Sequence, residues 1–211
     1  MNDVKNFGLY DSTFEKSSCG VGFLTRKDGK QTHELLVKGH EALCAVPHRG
    51  GMSAEGVGDG AGVSIDLSVT FFSRVVGASL VPGEFGVGNF FLPNDKSQHV
   101  RAKKLIDEAL KAEGMITLIT RSVDVDDSVL RPAAIKYQLP IAQWIFAAPK
   151  GIRGAALEKR IHKALLSIES EAYIDEDLDG MYPLSMSSRM QVLKGRLNSH
   201  EIVPYFCDLN D

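Results

Sequence analysis

Residues 19–25 read Cys19-Gly20-Val21-Gly22-Phe23-Leu24-Thr25. The run is short, apolar and spaced by two glycines, the pattern of a strand whose backbone something else approaches closely. Its first residue is a cysteine, and Ser17-Ser18 precede it. Removal of residues 1–18 would leave an α-amine and a thiol on the same residue. Their reference pKa values are roughly 7.7–8.0 and roughly 8.5. One residue would then supply both nucleophile and base, with no separate histidine. The adjacent glycines would admit a substrate beside the sulfur. The same residues also suit a packed, inert thiol, because free cysteine is commonly a small buried hydrophobe.

Outward from this run, Asp28-Gly29 signals a turn. An amphipathic helix is predicted over 32–46, with Leu35, Leu36, Gly39, Leu43 and Val46 at helical spacing and Pro47 to stop it. Residues 48–62 hold Gly50, Gly51, Gly56, Gly58, Gly60 and Gly62 and read as loop feeding a strand over 63–67. A short helix carrying Phe71, Phe72, Val75 and Val76 follows over 68–80, then a strand over 85–92 interrupted by Gly86 and Gly88. A helix over 97–113 is predicted with Ser97 as its cap and Ala102, Leu105, Ile106, Ala109 and Leu110 on one face. Strands are expected over 115–125, over 141–148 with Trp144 and Phe146 on one face, and over 181–197 as one element. Between the last two lies a long helix over 153–173 with Leu157, Ile161, Ala164, Leu165 and Ile168 inward. These alternating elements predict layered sheets and helices. The pattern leaves the direction of strand pairing open.

The chain has 211 residues, 44% hydrophobic and 24% charged, with a formal net charge of −3. That suffices for a core without covalent staples. No stretch approaches the roughly 20 apolar residues of a bilayer span. The slight acidity gives no footprint for nucleic acid or an anionic membrane. The three cysteines, Cys19, Cys44 and Cys207, are odd in number and widely spaced, so neither a disulfide framework nor a zinc site is implied. The first residues lack an apolar signal run, and a reduced, cytoplasmic protein is expected.

Three other patterns fail on context. Residues 56–61 match G-x-G-x-x-G/A, but a strand rather than a helix is expected after them, so a dinucleotide turn is not indicated. Asp175-Glu176-Asp177-Leu178-Asp179-Gly180 opens like a calcium loop, yet Met186 stands where the bidentate glutamate belongs. His33 and His40 lack the i, i+4 spacing of a helical metal pair and read as surface residues.

Taken in order, Tyr10-Asp11, Cys19-Gly20-Val21-Gly22-Phe23, Pro47-His48-Arg49-Gly50-Gly51 and Gly58-Asp59-Gly60-Ala61-Gly62-Val63 resemble the start of the glutamate synthase large subunit. The similarity continues through Phe85-Gly86-Val87-Gly88, Val192-Leu193-Lys194-Gly195 and Phe206-Cys207-Asp208-Leu209. The resemblance implies a class II glutamine amidotransferase domain of the N-terminal-nucleophile hydrolase type. It implies an α+β fold, a four-layer αββα sandwich of antiparallel sheets, expected to be incomplete at its C-terminus. By the same resemblance residues 1–18 are a leader, and residues 19–211 are the N-terminal part of the domain. Cys19 is the nucleophile that attacks the glutamine amide, forming a γ-glutamyl thioester and releasing ammonia. Arg49 and Gly50 fall on the family's R-G turn and Asp59 in its G-D-G loop, as substrate-binding or site-supporting residues. A cation at Arg49 would favour a thiolate at Cys19. An ordinary loop-tying ion pair is the competing role for Arg49.

The departures from the family pattern bear on activity. The H-Q-R-F-S-T segment that grips the glutamine α-carboxylate and the N-G-E-I-N-T segment of the oxyanion hole do not occur in these residues. No cofactor is expected in this chain; FMN and an iron–sulfur cluster belong to the rest of a full glutamate synthase. The expected partners are glutamine and the remaining synthase domains or subunits. The alternatives are a non-catalytic amidotransferase-like subunit of a synthase complex and a γ-glutamyl-transferring relative such as a methylglutamate synthase subunit. Strand edges left open predict association or poor solubility for the chain alone. Loss of one oxyanion donor costs on the order of 10²–10³ in rate. The 211-residue chain alone is therefore expected to release no measurable ammonia from glutamine. Release that Cys19→Ala abolishes would overturn this expectation.

Overall fold

In the computed structural model, residues 19–46, 51–93 and 95–210 are described. The elements in chain order are α1 (His33–Cys44), β1 (Ala61–Asp66), α2 (Val69–Val76), β2 (Phe85–Phe91), α3 (His99–Ala112), β3 (Ile116–Ser122), α4 (Pro132–Ile135), β4 (Ile141–Ala147), α5 (Ala155–Ile174), β5 (Tyr182–Ser187), β6 (Met190–Gly195) and α6 (Ile202–Tyr205). Short 3-10 turns join several of them. The fold is α+β, with antiparallel pairing throughout the two named sheets.

One sheet has four strands in the order β3-β4-β2-β5, and the other pairs β1 with β6. The larger sheet carries helices α3 and α5 on one face. Ala102, Leu105, Ile106, Ala109 and Leu110 of α3 meet Leu157, Ile161, Ala164 and Ile168 of α5 there, over Phe90, Trp144 and Phe146. Both helices present the faces that their apolar spacing predicts, and Leu165 is partly buried against the same cluster. Gly86 and Gly88 earn their places on β2. A Cβ on Gly86 would lie 2.5 Å from the Phe146 ring, and one on Gly88 2.7 Å from the Phe90 ring. Large aromatics can therefore lie flat across the strand.

The opposite face of the four-stranded sheet looks toward β1 and β6. Val57, Leu193, Leu197, Ile202, Phe206 and Leu209 pack there with Ile141. A smaller cluster, Leu67, Phe72, Phe85, Val87 and Ile145, sits under α2. Helix α2 stops at Val76, short of the span expected over 68–80. The Ser68 hydroxyl accepts from Phe71 N, and Gly77 ends the helix at φ 74, a left-handed conformation glycine adopts without Cβ strain.

Three expectations are corrected. Residues 19–25 form no strand; Val21 and Phe23 are 97% and 90% exposed, and a strand without a paired neighbour has no ladder to join. Ser97 is not the cap of α3. The Asp95 carboxylate accepts from Ser97 N and starts a 3-10 turn, Lys96–Gln98, ahead of the helix. The single strand expected over 181–197 is two strands in different sheets, since β5 pairs with β2 and β6 with β1. The corner between them is clasped by Glu158 of α5, whose carboxylate accepts from Ser188 N at 2.6 Å and Ser188 Oγ at 2.5 Å. Among the described residues no helix is long and apolar enough to cross a membrane.

The single tryptophan tests the helix-covered core. Trp144 is fully buried, edge-on to Phe90 at 5.5 Å, and its Nε1–H donates to Asp107 Oδ1 at 2.9 Å. Asp107→Ala leaves that donor unpaired, at a cost of about 1–3 kcal/mol. Denaturant titration followed by Trp144 fluorescence should show the loss, and Asp107→Asn should recover most of it.

Candidate active site

Cys19 stands exposed at the head of the unpaired segment. The segment is not wholly detached. Leu24 Cδ1 comes within 4.0 Å of a Cβ built on Gly39 of α1, and Gln31 Nε2 donates to Leu67 O at 3.3 Å. The other two thiols are half-buried. Cys207 lies beside Asp124, Asp126 and Asp208; burial first, and these carboxylates next, push its thiol up from the ordinary range. A raised thiol holds less thiolate at any given pH, and thiolate is the reactive form. Cys44 Sγ lies 3.5 Å from His40 Nε2 on the same helix.

Asp59 lies in the glycine-rich loop over 51–60, and the loop is built like a small hairpin. Met52 bridges Gly58 antiparallel. Asp59 N donates to Gly51 O at 2.9 Å, Ser53 N to Val57 O at 2.8 Å, and Gly56 N to Ser53 O at 2.9 Å. Val57 is buried in the inter-sheet cluster, so the loop is anchored by an apolar side chain at its tip. Gly56 has φ 79 and lies against the Arg131 guanidinium. The loop runs into strand β1, not a helix, so no row of helix N-terminal amides faces it.

Asp59 itself is exposed, and its carboxylate occupies the space that a Cβ on Gly51 would take. Arg49 and Gly50 lie outside the described residues. Among the described residues no hydrogen bond or ion pair joins Cys19 to Asp59. No group of three or more His, Cys, Asp or Glu side chains among them converges as a metal site. His40, read from sequence as a surface residue, is half-buried, and its Nε2 lies 3.1 Å from Ser199 O.

Sequence reading missed a polar relay between the sheets. Asn89 of β2, Gln143 of β4 and Gln191 of β6 are buried together. Gln143 Nε2 donates to Asn89 Oδ1 at 2.8 Å and Gln191 Oε1 at 3.1 Å. Asn89 Nδ2 donates to Val192 O at 3.0 Å and to Gln191 Oε1 at 3.3 Å. Arg121 of β3 donates through Nε to Gln143 Oε1 at 2.8 Å and grips both carboxylate oxygens of Asp208. Its guanidinium also lies 5.5 Å over the Phe71 ring. These bonds run between strands of both sheets, so the relay ties the elements together. Its sequence signal was one polar residue on each of two otherwise apolar strands, Asn89 on β2 and Gln143 on β4.

The family model for class II glutamine amidotransferases matches residues 19–211. Curated relatives agree. The chain is 28% identical over 215 residues to glutamate synthase [NADH] of Saccharomyces cerevisiae, covering 97% of this chain and 10% of that protein. It is 29% identical over 208 residues to the glutamate synthase [NADPH] large chain of Bacillus subtilis, covering 97% and 14%. It is 32% identical over 202 residues to ferredoxin-dependent glutamate synthase 2 of Synechocystis sp., covering 93% and 13%. The chain thus spans only 10% to 14% of the length of these relatives.

Two glycines of the loop should respond differently to alanine. The nearest atoms to the Cβ of Gly51→Ala belong to the Asp59 side chain, whose carboxylate can swing away. The Cβ of Gly58→Ala meets the backbone of Leu197 and Asn198, which cannot. Gly58→Ala should lose roughly 1–3 kcal/mol by overpacking. Gly51→Ala should melt near the unsubstituted protein while displacing Asp59. Thermal melts of the two variants check the contrast.

Proposed function

The chain belongs to the class II glutamine amidotransferase family, and we propose that it forms the glutamine-hydrolysing part of a glutamate synthase-like enzyme. The supporting observation is a family match that opens on Cys19, the one exposed thiol of the three. Removal of residues 1–18 frees the Cys19 α-amine. The thiol adds to the glutamine side-chain carbonyl, and its proton passes through that amine to the departing nitrogen. Ammonia leaves as the tetrahedral centre collapses to a γ-glutamyl thioester. Water then attacks the thioester carbonyl, glutamate leaves, and the thiol regains its proton.

In this reading Asp59, Arg49 and Gly50 shape the ground beside the nucleophile. The hairpin over 51–60 supports a shaping role for Asp59, because its turn bonds hold the backbone from Gly51 to Asp59. The α-carboxylate clamp and the oxyanion donors come from outside these 211 residues. So do any flavin and iron–sulfur centre of the whole protein, together with the domains or subunits that use the ammonia. The α+β architecture supports completion as a four-layer αββα sandwich, with further elements covering the β1–β6 sheet.

An electrophilic diazo-ketone analogue of glutamine tests the assignment in the full-length protein that carries these residues. Intact mass should show loss of residues 1–18 and one adduct, and peptide mapping should place it on Cys19. Cys207 should stay unmodified near neutral pH, because its raised thiol keeps little thiolate there. Cys19→Ser should abolish labelling. A retained leader with no adduct would refute the proposal.

A further inference from the structure

The loop that carries Asp59 is held from behind by a segment far away in sequence. Leu197 and Asn198 lie against Gly58 so closely that a Cβ there would overlap the Leu197 carbonyl and come within 2.7 Å of Asn198 N. Asn198 Nδ2 donates to Gly56 O at 3.2 Å. Asn198 is in turn fixed by Glu201, a buried residue whose Oε2 accepts from Asn198 N at 2.7 Å and Asn198 Nδ2 at 3.2 Å. The next residue, Ser199, begins a 3-10 turn, Ser199–Glu201. Its carbonyl points back at α1, where His40 Nε2 lies 3.1 Å away.

A carbonyl oxygen can only accept, so His40 Nε2 carries the proton of this bond. Neutral imidazole with that tautomer and imidazolium both donate there. The sequence of contacts is then continuous from His40 through Ser199 O, along the backbone to Asn198, across to Gly56 O, and down the hairpin to Asp59 N, which donates to Gly51 O. Leu36 and Leu43 of α1 pack on the same cluster that buries Val57 and Leu197, so helix and loop share a floor.

We propose that His40 is a positioning residue for the Asp59 loop, acting as a hydrogen-bond donor through Ser199 and Asn198. The value of that positioning to catalysis rests on the reading that Asp59 serves the Cys19 site. The held loop itself does not. His40 touches neither Cys19 nor Asp59, and its effect is to keep the tip of the hairpin seated so that its base, at Gly51 and Asp59, keeps one geometry.

Amide hydrogen exchange of the protein measures this without relying on turnover. His40→Leu and Asn198→Ala should raise exchange across residues 51–60 by about fivefold or more, the loss of one net hydrogen bond from local opening. His40→Gln, which keeps a side-chain N–H donor, should return exchange toward the unsubstituted rate. Lys38→Ala, which removes only the exposed pair with Glu34, should leave it unchanged. Exchange in β3 and β4 should stay constant in every variant, which separates local release from general unfolding. Equal protection of the loop in His40→Leu and the unsubstituted protein would overturn the proposal. So would equal exchange in His40→Leu and His40→Gln, because a packing role would not distinguish a donor from an apolar side chain. Failure of Cys19 to take up the glutamine analogue would overturn the catalytic reading while leaving the exchange result in place.

Discussion

The architecture turns on one relay of three buried side-chain amides and a half-buried guanidinium. Gln191, Asn89, Gln143 and Arg121 stand on four strands from both sheets, and Asp208 closes the far end. Buried amides cost free energy unless they are paired, and a half-satisfied set is worse than an apolar core. The sheets therefore have one favoured alignment, the one in which these amides meet. A slip of one residue on β2 would turn Asn89 to the helix side and bring an aromatic into the relay. The relay also separates the inter-sheet apolar contact into the cluster under α2 and the cluster that seats the Val57 loop tip.

Legibility from sequence followed the range of the forces involved. The faces of α3 and α5 were readable because helical spacing is local, and every apolar residue assigned to them is buried or half-buried. The caps at Ser68 and Gly77 are equally local, yet the helix expected over 68–80 ran past Gly77. Asp95 displaced Ser97 as the starting cap because a carboxylate two residues back met the Ser97 amide first. The break at Ser188 was invisible, since no glycine or proline marks it and its clasp, Glu158, comes from another element. Residues 19–25 have the composition of a strand, but a strand exists only with a neighbour, and composition does not name one.

The candidate site divides in the same way. Cys19 could be singled out because a cysteine beside glycines is a local pattern, whereas Asp59 was singled out only through the family resemblance of its G-D-G loop. Asn89, Gln143, Gln191 and Arg121 could not, because each is a lone polar residue until the fold gathers them. His40 was misjudged for a related reason. Its partner, the carbonyl of Ser199, lies 159 positions away and leaves no mark near the histidine. Local patterns were thus easier to see than contacts between distant elements.

The two-stranded sheet has a further consequence during synthesis. Asp66 pairs with Met190 and Ala61 with Gly195, so β1 leaves the ribosome well over a hundred residues ahead of its partner. At roughly 5–20 residues per second that is a wait of several seconds or more. β2 waits less, because its partner β4 follows within the next sixty or so residues. The helix-backed sheet can therefore assemble while β1 and the loop before it are still unpartnered. The segment that runs from Cys19 to Asp59 is made first and gains its β1–β6 support late. In the nascent chain this is the stretch most exposed to a chaperone or a protease.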